Sequence, residues 1–341
     1  MKRYGQTLEA LGELLQCYSA TQAHYNSYIH EPDYLAFSQF WEESLYAPMR
    51  KEVEAVSKAA ASHPHLIYCA PGARAPLLRH DKDVCLASSF GRITLLDIDQ
   101  NALNSARSII NVQSPHHDVR VRPVDFSGLM GQRLCDLFYN VLKSATSPED
   151  VASRLSNFAQ ITKSLFFNAR ENLVALSEEL SNPACQNEAQ LCVSEMMASF
   201  TGTAVFLAFR SSLFRKFGSA DKCVLDSVLH FATELWREHN RTFLANHLEI
   251  IRSWLNAGDV LIIAFDSLKV FDDPRLNPVH SFGTNESFAR VIGSSRFQIM
   301  RHSNIHWRDH PVDFETAVYG VAVNDFKAHT HVVQIYALTV K

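Results

Sequence analysis

The feature that most constrains the fold is a change of rhythm near residue 66. Upstream, apolar residues recur every three or four positions. Downstream, short apolar runs alternate with helical stretches: "LIYCA" (66–70) and a loop, then "RITLLDID", then "QNALNSARSIINV", then "VRVRPVDF". Leu103, Ala106 and Ile110 of the third stretch share one helical face. Strand, helix and strand at this spacing predict a parallel sheet with crossover helices. Right-handed crossovers gather the carboxyl ends of the strands, and any ligand with them, along one edge. "AQLCVSEMMAS" (189–199) and "DVLIIAFD" (259–266) add two more strands, and "ETAVYGVAV" and "HVVQIYALTV", joined by "NDFKAHT", read as a C-terminal antiparallel hairpin. The expected class is α/β with a mostly parallel sheet.

Two helical additions flank that pattern. Residues 1–63 read as an N-terminal helical cap, with Leu8, Leu11, Leu14, Leu15 and Tyr18 at helical spacing, a restart at Pro32, a break near Pro48 and an end at Pro64. Residues 64–341 form the sheet domain, interrupted at about 127–188 by a helical insertion that can act as a lid. Inside it Ser147 is a cap, Pro148 the first helical residue, and Val151, Leu155, Phe158, Ile161 and Leu165 the apolar face. A later helix carries Leu244, Leu248, Ile251 and Leu255 on one face and stops at Gly258.

Composition narrows the function. The 341 residues are 47% hydrophobic and 20% charged with net charge −4, and no basic stripe marks a nucleic-acid partner. No apolar run reaches the ~20 residues of a membrane span, and no apolar core follows Lys2 and Arg3. Seven scattered cysteines without a CxxC pair read as thiols of a reducing cytoplasm. A small-molecule ligand in a soluble cytoplasmic protein is the expectation; a homodimer is compatible with it.

Three short stretches then give the chain a family likeness. "CAPGARA" supplies Cys69, Ala70, Gly72 and Ala73 after the first strand; "LLDIDQNAL" supplies Asp97 and Ile98 at the end of the second; "PVDFSG" supplies Asp125 and Phe126 after the third. With the strand pattern and closing hairpin, this resembles the class I S-adenosylmethionine-dependent methyltransferases over residues 66–126 and 189–266, and implies a Rossmann-like sheet. The resemblance implies that the first loop wraps the methionine part of S-adenosylmethionine, Asp97 takes the ribose hydroxyls, and Asp125 with Phe126 holds the adenine.

Elementary chemistry agrees with that assignment. A carboxylate accepts two hydrogen bonds from vicinal hydroxyls. A loop that approaches a ligand with its backbone favours Gly or Ala, and Phe126 or Ile98 offers an apolar face to a purine. One glycine in place of three argues against NAD or FAD, whose pyrophosphate needs close backbone approach; S-adenosylmethionine has no pyrophosphate. Asp99 reads as a helix cap. Arg50 and Arg74 are the candidate cations for the cofactor carboxylate, and Tyr46 and Trp41 can close over its methionine end.

Past the fourth strand, Ser194 and Glu195 reach the sheet edge, and Tyr139 and Asn140 of the insertion are candidates to join them in orienting a nucleophile or accepting its proton. His302, His306 and His310 share one side of a strand or a helix; pocket lining, polar surface and zinc all stay open for them, and no metal is expected. The resemblance implies a transferase acting on a small molecule, with methyl transfer first. The alternative is attack on the aminobutyryl γ-carbon with release of methylthioadenosine, as in azetidine-2-carboxylate and nicotianamine synthases. A partner subunit that keeps the fold without the chemistry is the third reading.

Overall fold

The structure is a computed structural model that describes residues 42–59, 64–71, 75–78, 86–97, 99–115, 118–124, 126, 130–159, 190–195, 203–271, 279–280, 285–308 and 328–341. Its strands are β1 (His65–Cys69), β2 (Arg92–Asp97), β3 (Asp118–Pro123), β4 (Gln190–Glu195), β5 (Val260–Phe271), β6 (Val279–His280), β7 (Phe297–Arg308) and β8 (Ala328–Val340). The helices are α1 (Ala47–Ala59), α2 (Gln100–Gln113), α3 (Met130–Ser144), α4 (Pro148–Ala159), α5 (Thr203–Phe217), α6 (Lys222–Trp254) and α7 (Asn285–Ser294).

One sheet runs in the order β3-β2-β1-β4-β5-β8-β7, with short β6 paired to β5. The pairs from β3 through β5 are parallel, and β8 runs antiparallel between β5 and β7. This is the expected α/β, Rossmann-like sheet with an antiparallel closing pair. The chain winds outward in both directions from β1, so the carboxyl ends of β1 and β4 flank the switch point where such sheets open a crevice.

Burial explains the strand sequences. Every residue of β1 is buried, as a continuous apolar run requires when both faces are covered. On one face Leu45, Met49 and Val53 from α1 and its preceding turn, with Leu103, Ala106 and Ile110 of α2, pack on Leu66, Tyr68, Ile93, Leu95, Leu191 and Val193. On the other, Phe243, Leu244, Leu248, Ile251 and Trp254 of α6 cover Ile67, Cys69, Cys192, Leu261 and Ile263.

A second core is entirely helical. α3, α4, α5 and the first half of α6 enclose Leu134, Phe138, Val151, Leu155, Phe209, Leu213, Val228 and Leu235. Phe138 stacks on Phe209 at 4.3 Å between ring centroids, and Phe206 on Trp236 at 5.0 Å. Thus helices after β4 share this body with the stretch before it. Ser147 Oγ accepts from the Asp150 amide at 3.3 Å, the expected cap. Lys216 Nζ donates to the Leu142 and Ala145 carbonyls at 2.6 and 2.8 Å, closing the end of α3.

Other expectations fare differently. Pro48 does not end a helix: it sits in the first turn of α1, directly after a π-helical turn at Glu42–Tyr46, where its missing amide costs no hydrogen bond. Gly258 adopts φ 91° in the turn between α6 and β5, and its amide donates to the Val340 carbonyl at 3.1 Å. The histidine-rich stretch is, as far as Arg308, strand β7, which pairs with β8; residues 309–310 and "ETAVYGVAV" lie outside the described residues. No described helix is long and apolar enough to cross a membrane.

Candidate active site

Tyr68 and Glu195 end the chemistry-bearing part of β1 and β4 on the α1 face of the sheet. The Tyr68 hydroxyl donates to Glu195 Oε2 and accepts from the Leu77 amide. Tyr46, at the junction with α1, is the second phenol hydrogen-bonded to the same carboxylate. Glu195 is 8% exposed. Burial pushes its carboxyl from 4.5 up to about 7; the charge of Asp97 adds to the rise, and the two phenols oppose it by favouring the anion. Burial, with the Glu195 charge adding, pushes the Tyr68 phenol well above its ordinary range, so it stays a donor.

Asp97 closes β2 at the same edge, 8% exposed. Its Oδ1 accepts from the Asp99 amide at 3.1 Å, and its carbonyl accepts from the Val124 amide at 2.7 Å, tying the ends of β2 and β3 together. Asp99 caps α2, its side chain accepting from the Asn101 amide at 2.9 Å, as the sequence predicts. Two carboxyl groups therefore stand at one sheet edge, near enough for the charge of Asp97 to raise Glu195.

The loop leaving β1 begins with strain. Ala70 has φ 58°, and its amide donates to the Leu96 carbonyl at 2.7 Å. An L-residue in this conformation costs about 1 kcal/mol, and such positions concentrate at functional sites. Arg50 Nη1 donates to the Pro76 carbonyl at 2.9 Å, and the same guanidinium pairs with Glu42. Arg50 thus pins the far side of the loop to α1. Gly72, Ala73, Arg74, Ile98, Asp125 and Trp41 lie outside the described residues.

On the opposite face of the sheet, Ser194 Oγ meets His247 Nε2 of α6 at 2.7 Å, both fully buried. Burial lowers the His247 imidazole to about 3, so it is neutral. Phe243 stacks on it at 5.4 Å and Phe126 meets it edge-on at 5.2 Å. Phe126 also lies 6.1 Å from the Trp254 ring and is 2% exposed, a core contact just below the crevice.

The structure thus brings Tyr46, Asp97 and Glu195 together, seats Ser194 behind them and places Ala70 at the start of the loop. The insertion residues stand differently: Asn140 is exposed, and Tyr139 is half-buried with Lys143 Nζ 5.4 Å from its ring centroid. His302 stacks on Tyr336 across the β7–β8 pair at 4.2 Å and bonds Gln334. The side chain of His306, and all of His310, fall outside the description. Two functional candidates escaped sequence reasoning, Tyr68 and His247. Tyr68 puts a phenol inside the apolar run of β1, a signal because a buried phenol needs a partner; His247, like His239 and Asn240 before it, interrupts the apolar buried face of α6 in the same way.

No family model matches this chain, and no curated protein matches it. Solved structures that match include the N-methyltransferase NodS from Bradyrhizobium japonicum, 8% identical over 94% of this chain and 98% of that one, TM-score 0.41. Geranyl diphosphate C-methyltransferase from Streptomyces coelicolor is 8% identical over 85% of this chain and 78% of that one, TM-score 0.40. The cyclase SpnF is 11% identical over 85% of this chain and 80% of that one, TM-score 0.40. Likenesses this distant carry no argument about chemistry, which rests on the residues themselves.

Proposed function

We propose that this protein is an S-adenosylmethionine-dependent transferase that methylates a small molecule, with Glu195 accepting the nucleophile's proton. One observation carries the reading: two buried carboxylates, Asp97 and Glu195, share the switch-point edge of a Rossmann-like sheet. The donor set suits this cofactor. Carboxylates and phenols attract a sulfonium, an ammonium and vicinal hydroxyls, and the same edge repels a pyrophosphate. Asp97 would hold the ribose hydroxyls, Ala70 with Gly72 and Ala73 the methionine part, and Asp125 and Ile98 the adenine; Tyr46 borders the methionine end, whereas the Phe126 ring, buried against His247 and Trp254, packs in the core instead. When bound, S-adenosylmethionine supplies an electrophilic sulfonium carbon.

The chain's own task is to orient the nucleophile, exclude water and move one proton. A general base works best with a proton affinity near the operating pH, and Glu195, at about 7, has it. Tyr68 and Tyr46 fix the carboxylate from two sides. Ser194, held by His247, sets the backbone at the end of β4 from which Glu195 projects.

The test is to incubate purified protein with S-adenosylmethionine, alone and with a metabolite extract, and to identify the nucleoside product by mass spectrometry. S-adenosylhomocysteine formed only with the extract supports methyl transfer. Methylthioadenosine formed from S-adenosylmethionine alone supports γ-carbon attack instead. No turnover, together with no calorimetric binding of S-adenosylmethionine, overturns both. Asp97→Ala should weaken binding at least ~100-fold, since two charge-assisted hydrogen bonds are lost, without loss of the folded circular dichroism spectrum.

A further inference from the structure

The loop that leaves β1 begins and ends at Glu195. In the β1–β4 register Cys69 faces Ser194. Ala70, where the loop starts, is therefore level with Glu195 on the adjacent strand, one strand spacing or about 4.8 Å away. The far limb of the loop returns to the same group: the Leu77 amide donates to the Tyr68 hydroxyl, and that hydroxyl donates to Glu195. Tyr46 bonds the carboxylate from α1's side. A ligand held by this loop lies beside the Glu195 carboxyl.

The surroundings hold that carboxyl without neutralising it. Its bonded partners, Tyr68 and Tyr46, are uncharged phenols, and Asp97 of β2 adds a second negative charge. Ala264, opposite Glu195 on β5, adds no charge. From α1, the Arg50 guanidinium acts on Tyr68 and is engaged by Glu42 and the Pro76 carbonyl. Among the described residues no cation eases the ionisation of Glu195. A buried carboxylate needs a countercharge, and here a ligand in the loop can bring it.

The proposed transfer changes the charge of that ligand. As the methyl group bonds to the nucleophile, the sulfur keeps the electron pair of the broken bond and becomes a neutral thioether, while Glu195 takes the nucleophile's proton. An ionised Glu195 faces the cation before the step, and a protonated Glu195 faces the neutral product after it. The buried site keeps one net charge throughout. Since burial raises the carboxyl to about 7, both forms are accessible near neutral pH.

We propose that Glu195 is the residue that separates cofactor from product: ionised it selects the sulfonium, protonated it tolerates the thioether, and loss of its proton readies the site for the next cofactor. The proposal rests on the transferase reading of this edge and assigns its charge discrimination to one side chain.

The experiment measures, by calorimetry on the full chain from pH 5.5 to 8, the affinities for S-adenosylmethionine, S-adenosylhomocysteine and sinefungin, whose ammonium stands where the cofactor has its sulfonium. The preference for S-adenosylmethionine over S-adenosylhomocysteine should rise at least about fivefold over that range, out of the tenfold that one unit of difference in proton affinity between the complexes allows. Sinefungin should follow the cofactor. At pH 6.5 S-adenosylmethionine should release protons on binding, read as a heat difference between phosphate and imidazole buffers, and S-adenosylhomocysteine should not. Glu195→Gln should flatten the rise. Tyr46→Phe removes a donor to the anion and should move the midpoint of the rise up by about half a pH unit, a change that a purely structural role would not produce. The wild-type series and Tyr46→Phe decide the matter even if Glu195→Gln fails to fold. A wild-type preference flat with pH, a rise that survives in Glu195→Gln, a midpoint unmoved in Tyr46→Phe, or sinefungin tracking S-adenosylhomocysteine overturns the discrimination and leaves the transferase reading standing. Failure of all three ligands to bind defeats the transferase reading itself.

Discussion

Replacing Glu195 by Gln tests the buried carboxyl directly. In the folded chain burial, aided by Asp97, holds this group at about 7, whereas its ordinary value is 4.5. Between those two pH values the folded protein keeps a proton that the unfolded chain has released. Its contribution to stability is therefore complete below about pH 4.5 and is lost as pH rises through about 7. At ~1.4 kcal/mol per pH unit, the loss reaches about 3 kcal/mol by pH 8. Glu195→Gln abolishes the titration and keeps the shape and a carbonyl for the phenols. The assay is urea unfolding of both proteins at intervals from pH 4.5 to 8.5. The stability of the variant relative to wild type should climb by about 3 kcal/mol over that range. Three buried histidines act in the opposite direction: His65 and His239, lowered to about 4, and His247, lowered to about 3, all by burial first, withdraw stability as pH falls below 6.5. They are common to both proteins and cancel in the difference. A difference flat with pH would mean that the carboxyl ionises as freely in the fold as in water, and Glu195 would lose its claim to be the base.

Two further substitutions separate the roles of the neighbouring residues. Tyr68→Phe removes a donor to the Glu195 anion, so the acidic limb of the kcat/KM profile should move up by about one pH unit; an unmoved limb would mean the phenol does not tune the base. Asp99→Ala removes the cap of α2 and should cost about 1 kcal/mol in urea unfolding, with S-adenosylmethionine affinity within twofold by calorimetry; a loss as large as that expected for Asp97→Ala would make Asp99 the cofactor ligand instead.

Much of the sheet was legible because burial on both faces leaves a plain mark: "LIYCA" and "DVLIIAFD" are unbroken apolar runs, and both are strands. Asp97 and Asp99 were separable as strand end and cap because a helical pattern starts at Gln100. Glu195 was legible by position. Its partner Tyr68 was not, since a tyrosine within an apolar run reads as bulk until the fold shows where its hydroxyl lands. The same blindness hid His247, where helical periodicity drew attention to Leu244, Leu248 and Ile251 around it. β7 resisted prediction for a different reason: at the sheet edge its exposed Arg301, His302 and Asn304 lack the apolar alternation of a half-buried strand. The outer position of Asn140 follows from α3 turning its apolar side into the helical core, a tertiary choice that spacing leaves open.

The continuity of α6 makes it a lever. Its 33 residues span about 50 Å at ~1.5 Å per residue, and its two halves are seated in different cores. A tilt of only about 5° at the sheet end would sweep the far tip through about 4 Å for a rod of that length. Leu225 and Val228 at that tip are embedded among α3, α4 and α5, so a small repacking beside Ser194 would be magnified into displacement of the whole helical body.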